Sequence, residues 1–219
     1  MNATTAPRRL HRLERAALGG VLAREVMNFS SYWRSTTFSS TVEPTIFLLA
    51  FGFGFGSLVS TVAGLPYVEF VGTGTVATAV LFSSVFPAMF GTFIKREFQR
   101  TYDAILAAPV DTEELVTGET LWIAIRAGVY GNVPLLVAMA FGLDPSWGML
   151  AVPPIAFVAG FGWAGFGIMI GAVLKSIDNF GYVTSSVITP LFLVAGALIG
   201  FALVMWRVAI NRSEKRLIN

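Results

Sequence analysis

Five long apolar stretches alternate with short polar connections along the chain: Val42–Val62, Tyr67–Ile94, Leu121–Leu143, Met149–Leu174 and Tyr182–Trp206. Each has the roughly 20 residues that a helix needs to cross the hydrocarbon of a bilayer. None alternates apolar and polar residues as a barrel strand does. A backbone in lipid must satisfy its own N–H and C=O groups, which leaves the α-helix. The pattern therefore predicts an all-α integral membrane protein built as a helical bundle.

The polar segments carry patterns of their own. In the leader, residues 1–41, Leu22, Val26, Phe29 and Trp33 recur at helical spacing, with Arg24, Glu25, Asn28, Ser31 and Ser35 mainly on the other side. This predicts an amphipathic helix lying at the membrane interface, anchored by Tyr32 and Trp33. Glu43–Pro44 then opens the first span, with Pro44 in the first helical turn. In the connection Lys95–Thr120, the apolar residues Phe98, Tyr102, Ile105 and Leu106 fall opposite Lys95, Gln99, Arg100 and Asp103. That predicts a short helix over about 95–108, stopped by Pro109. Asp111 with Glu114 three positions later reads as a capping box that starts the next helix. Pro87, Pro134 and Pro153–Pro154 are expected to kink or delimit their helices. The pairs Gly52/Gly56 and Gly167/Gly171 permit close helix contact, either within the bundle or at a dimer seam.

Composition agrees with a membrane solvent. Of 219 residues, 55% are hydrophobic and 13% charged, and the mean hydropathy is +0.70. A soluble domain carries about 25% charged residues. The net charge of +2 does not point to nucleic acid, because Lys and Arg sit in clusters between apolar runs rather than in a basic stripe.

Those clusters orient the chain. Arg8, Arg9, Arg12, Arg15, Arg24 and Arg34 precede the first span, Lys95, Arg96 and Arg100 follow the second, and Lys175 follows the fourth. The turns at 63–66 and 144–148 hold no Lys or Arg. The positive-inside rule places the N-terminus, the second–third connection and the fourth–fifth connection in the cytoplasm. The tail, residues 207–219, breaks the rule: after five crossings it is expected outside, yet it carries Arg207, Arg212, Lys215 and Arg216.

Candidate chemistry is sparse. The chain has no Cys and one His, His11, which leaves no thiolate and no histidine cluster for a metal. No GxxxxGK[ST] loop is present to hold ATP phosphates. Arg126 is the charge most clearly inside a span, with Glu69 and Glu119 nearer span ends. Such charges mark transport pathways or structural pairs. Glu119 and Arg126, seven positions apart, share a helix face. Phe47, Phe51, Phe53 and Phe55 form a phenylalanine-rich wall suited to lipid or to an amphiphile.

The segments EPTIFLLAFGFGFG, YVEFVGTGTVATAV, QRTYDAILAAPVDTEELVTGETLWIAIRAGV and SIDNFGYVTSSVITPLFLVAG resemble, in order and spacing, the permease subunit of type 2 ABC exporters. The subfamily resembled is the nodulation-type lipo-oligosaccharide exporter, with polysaccharide and drug exporters beside it. The resemblance runs from about Arg24 to Gly196. It implies six spans, here five and a fused remnant, across a permease domain of residues 42–206. It implies a coupling helix that holds Arg96, Glu97, Gln99, Arg100, Thr101 and Asp103. It also implies a homodimer on two copies of a separate ATPase chain, which binds ATP and Mg, so that this chain is itself no enzyme and holds no cofactor. The family continues past ITPLFLVAG through a hairpin and a sixth span, so the direct run into ALIGFALVMWRV implies a segment missing near Gly196–Ala197.

The function implied is export of an amphiphile (a lipid-linked oligosaccharide, a polysaccharide or a drug-like molecule) across a bacterial plasma membrane. Phe51, Phe55, Glu69 and Arg126 are the candidates for its path. A secondary transporter or channel working without an ATPase is the alternative. A membrane-embedded lipid enzyme would need a polar catalytic cluster, which the sequence does not show.

Overall fold

The computed structural model describes residues 14–50, 54, 56, 58–59, 61–62, 65–140 and 147–190, with the backbone alone for some of them, Pro44 and Glu69 included. The first thirteen residues, Phe51, Phe53, Phe55, the Gly196–Ala197 junction and the basic tail lie outside the described residues. The sequence expectations about them are not addressed by the structure.

The described residues are helical apart from turns and one hairpin of two short strands. Helix α1 spans Arg15–Ser30 and α2 spans Trp33–Leu48. Strand β1, Thr61–Val62, pairs antiparallel with β2, Leu65–Pro66. Helix α3 covers Tyr67–Phe93 and runs on through a wider π-type turn, Ile94–Phe98. Short α4 is Thr101–Leu106, and α5, Thr112–Tyr130, is followed after a turn by α6, Val133–Ala140. A 3-10 turn, Trp147–Ala151, leads into α7, Val152–Val173, and α8 is Asn179–Val183.

Three helical stretches among the described residues are long and apolar enough to cross a membrane: Gly74–Phe98, Thr112–Ala140 and Gly148–Val173. They match the second, third and fourth apolar stretches. Helices α3, α5 and α7 pack on one another as the core, with α1 laid on α5 and α2 against α6 and α3. Leu81, Val85, Met89 and Phe93 of α3 meet Trp163 and Phe166 of α7, and Phe180 of α8 closes the base of this cluster.

Small residues set the helix spacing. A Cβ on Gly167 would lie 2.6 Å from both the Ala88 Cβ and the Val85 carbonyl, and one on Gly160 would lie 2.6 Å from the Ala127 Cβ. A Cβ on Gly171 would collide with the Met89 carbonyl. The Gly167/Gly171 pair is therefore a contact between α7 and α3 within one chain, the first of the two readings its spacing allowed.

Proline placement follows the expectation where a proline delimits a helix. Pro153 and Pro154 open α7, Pro134 lies in the first turn of α6, and Pro87 sits inside α3. Pro44 departs from it. The helix that holds it already begins at Trp33, so Pro44 is an interior residue. Hydroxyls flank it: Thr41 donates to the Thr37 carbonyl at 2.8 Å and Thr45 to the Thr41 carbonyl at 2.6 Å. Such side-chain bonds help a helix in lipid tolerate a proline.

The leader is helical with one interruption. Its helix breaks at Ser31–Tyr32, and the face toward the bundle runs through Val21 and Glu25, both buried. Val26 and Trp33 are 49% and 47% exposed, away from the bundle. Gly118 explains how α1 comes so close: a Cβ there would lie 2.7 Å from Val21 Cγ1.

Candidate functional site

The connection after α3 is not the single short helix that the apolar periodicity predicts. The π-type turn carries Lys95, Arg96 and Glu97 as a continuation of α3, closed by the Gln99 N–H to the Ile94 carbonyl at 2.9 Å. Arg100 follows with φ of 51°, the positive-φ non-glycine residue of the described chain. That left-handed step redirects the backbone into α4. Helix α4 is thus a separate element, joined to α3 by a tight corner.

A chain of charges lies beneath that corner. Lys95 Nζ donates to Glu25 Oε1 of α1 at 2.9 Å and to Glu119 Oε1 of α5 at 2.7 Å. Arg24 donates to the same Glu25 oxygen at 2.7 Å. The side chains of Glu25 and Glu119 are 5% and 3% exposed, and that of Lys95 is 15% exposed. Two cations and two carboxylates alternate, so no net charge is buried. The second oxygen of Glu119 accepts the Tyr102 hydroxyl of α4, which lies 3.4 Å from Thr92 Oγ1 of α3. Burial, and after it the charge and hydrogen bond of Glu119, push the Tyr102 hydroxyl well above its usual pKa. It therefore stays protonated and donating. Four elements, α1, α3, α4 and α5, converge on one network.

The predicted coupling residues divide around it. Arg96 turns inward, donating to the Ala172 carbonyl and, at 2.5 Å, to the Leu174 carbonyl. It caps the end of α7, whose last carbonyls lack helical partners. Its Nε meets Glu97 at 2.9 Å. Lys95, expected on the polar outer side, is in the network, and Phe98, expected on the inner stripe, is 70% exposed. Arg100 and Asp103 do face outward, 3.6 Å apart with side chains 71% and 63% exposed. Gln99 is exposed and Thr101 half-buried, with the Thr101 hydroxyl 3.3 Å from Gln99 Oε1. An outer patch of Phe98, Gln99, Arg100 and Asp103 therefore sits over an anchored Tyr102.

The capping box is formed as the sequence predicts. Glu114 accepts the Asp111 N–H at 3.0 Å and the Asp111 side chain receives the backbone of the first turn. Glu114 also accepts the Glu14 N–H at 2.6 Å, which ties the start of α1 to the start of α5.

Arg126 does not join Glu119. It lies over the Phe29 ring, 4.9 Å from the centroid, and belongs to a separate cavity between α2, α3 and α5. Among the described residues no three His, Cys, Asp or Glu side chains are grouped to hold a metal ion.

Residues 17–212 match the model of the ABC-2 type transporter family. The chain belongs to that family. Among its curated relatives, Nodulation protein J of Rhizobium leguminosarum bv. trifolii is 31% identical over 170 residues, covering 76% of this chain and 65% of that protein. Nodulation protein J of Sinorhizobium fredii (strain NBRC 101917 / NGR234) is 30% identical with the same coverage. The inner membrane transport permease YadH of Escherichia coli (strain K12) is 25% identical over 191 residues, 85% of this chain and 73% of that one. The chain thus spans 65% of the length of these nodulation relatives. No solved structure matches it. Within this ABC-2 family chain, the network and the outer patch of α4 form the candidate site.

Sequence reasoning missed the network because each member looked ordinary alone. Glu25 was the available signal. Val21, Glu25 and Phe29 recur every four positions, so a carboxylate falls in the middle of an otherwise apolar stripe.

Proposed function

We propose that this chain is the membrane permease subunit of an ATP-driven exporter of amphiphiles in a bacterial plasma membrane, with its N-terminus in the cytoplasm. Two copies of a separate ATPase chain bind ATP and Mg, and a second permease copy completes the pathway between them. Family membership supports the transporter reading. The observation that supports coupling is the anchoring of α4: the corner before it exposes Phe98 and Arg100 beside its own Asp103, while Tyr102 ties its inner side to Glu119.

The mechanism follows from that geometry. A soluble partner that closes on ATP presses on Phe98, Arg100 and Asp103. Helix α4 has six residues and a tight corner before it, so it moves as a block rather than bending. Tyr102 passes the displacement to Glu119 in α5, and Lys95 passes it to α1 and α3. Close glycine contacts carry it on from α3 to α7. A ligand or partner shifts such an equilibrium only by its differential affinity for the two states. The paired charges keep the connection specific in both.

Affinity purification of the chain from native membranes in mild detergent tests this. An ATP-binding subunit is expected to accompany it, and substrate-stimulated hydrolysis is expected to fall in Tyr102→Phe, which keeps the ring and loses the link. Substrate movement by the purified chain alone in vesicles, with no ATPase polypeptide present, would instead establish a secondary transporter or channel.

A further inference from the structure

The cavity beside Arg126 is a second site, separate from the ionic network. It encloses about 370 Å³, and eight of its twelve lining residues carry hydroxyls. Ser35, Ser39 and Ser40 come from α2, Thr75 and Thr78 from α3, and Arg126 from α5. Among the described residues no carboxylate lines it. Among the described residues, Arg126 Nε is buried without a hydrogen-bond partner and its guanidinium has no ion pair. Its guanidinium packs on the face of Phe29, which leaves the N–H edge to face the cavity. A guanidinium inside a span is costly unless something answers its charge.

We propose that this cavity binds the oxyanion head of an amphiphile, a phosphate or similar group, with Arg126 as its counter-ion. The walls suit such a ligand. Ser35, Ser39 and Ser40 make no hydrogen bond to a described residue, so their hydroxyls are available to anionic oxygens. Thr78 already donates to the Gly74 carbonyl at 2.8 Å, and its oxygen accepts from a ligand hydroxyl. Ala79, Phe82 and Pro87 supply an apolar border, and Phe82 is 44% exposed, a surface along which a hydrocarbon tail lies. Arg recognises oxyanions through paired N–H groups in a planar fork. The hydroxyl run from Ser30 to Thr45 in the sequence is the local signature of this wall. The inference rests on the permease reading only for treating the occupant as cargo; the binding itself does not need it.

The test is retention of phosphatidylglycerol by the purified chain after exchange into phosphatidylcholine vesicles carrying a minority of phosphatidylglycerol. Wild type is expected to retain phosphatidylglycerol in preference to phosphatidylcholine, Arg126→Gln to lose about tenfold of that preference, and Arg126→Lys to keep part of it. Displacement by inorganic phosphate would support recognition of the oxyanion alone. Resistance to phosphate with the same loss in Arg126→Gln would support recognition of the whole amphiphile. Equal retention by wild type and folded Arg126→Gln overturns the proposal. If Arg126→Gln aggregates, Ser39→Ala with Thr78→Val decides in its place, and unchanged retention there overturns it. The measurement uses no ATPase, so failure of the exporter reading and failure of this site give different results.

Discussion

Lys95 and Glu119 form a 2.7 Å ion pair that joins the end of one membrane-spanning helix to the start of the next. The pair is nearly enclosed, and each partner has a second one: Glu25 for Lys95, Tyr102 for Glu119. Removing one member of such a buried pair leaves its partner's charge unanswered and costs about 3–5 kcal/mol. Lys95→Ala is therefore expected to unfold in detergent well below wild type. Glu119→Gln, which leaves Lys95 paired with Glu25, is expected to lose less. Thermal unfolding of both variants checks the order.

Arg96 makes a different contribution, because it reaches the carbonyls of Ala172 and Leu174 with two nitrogens of one plane. Hydrogen bonds to a charged group are worth about 1.5–3 kcal/mol each way of counting. Arg96→Ala is expected to destabilise by about that amount. Arg96→Lys is expected not to restore it, since an ammonium cannot span the fork. Hydrogen exchange at the end of α7 reports the loss locally.

Gly167 sets the distance between α3 and α7. Gly167→Ala brings a methyl to 2.6 Å from Ala88 Cβ and the Val85 carbonyl, and backbone on one side cannot yield cheaply. The expected cost is about 1–3 kcal/mol, read by thermal unfolding, with the number of subunits unchanged by mass measurement. A change in subunit number at unchanged stability would move this glycine pair to an interface between chains.

Arg100 separates strain from function. A left-handed step costs a non-glycine residue about 1–2 kcal/mol, and glycine takes it freely. Arg100→Gly is expected to hold or raise the unfolding temperature while lowering the ATPase stimulation that the exposed guanidinium supports. A fall in stability would show that the residue holds the corner rather than the partner.

Much of the membrane architecture was legible because hydropathy measures what lipid selects. The second apolar stretch, Tyr67–Ile94, became α3 at Tyr67–Phe93, and the fourth, Met149–Leu174, became α7 at Val152–Val173. The Asp111/Glu114 box was readable because its two residues are three apart and need no tertiary partner. The start of α2 was not, because Ser35–Thr41 scores as polar, while in the structure Thr41 turns back onto the Thr37 carbonyl and Thr37 meets the Tyr130 hydroxyl of α5. The network was hidden for another reason. Lys95 finds Glu25 at a separation of 70 positions and Glu119 at 24, and periodicity within one segment treats any such charge as solvated. Phe98 shows the reverse error. Helical spacing assigned it inward, but the π-type turn and the Arg100 corner rotate it outward.

Photo-crosslinking in membranes shows whether the outer face of α4 receives force from a separate ATPase. A benzophenone amino acid placed at position 103, on the exposed side of α4, is compared with one at position 125, where Ile125 is 43% exposed on a membrane-spanning helix. An ultraviolet-dependent adduct between position 103 and an ATP-binding polypeptide, altered by ATP, is expected, and none from position 125. Absence of any adduct at position 103 in cells where the chain supports export would contradict it.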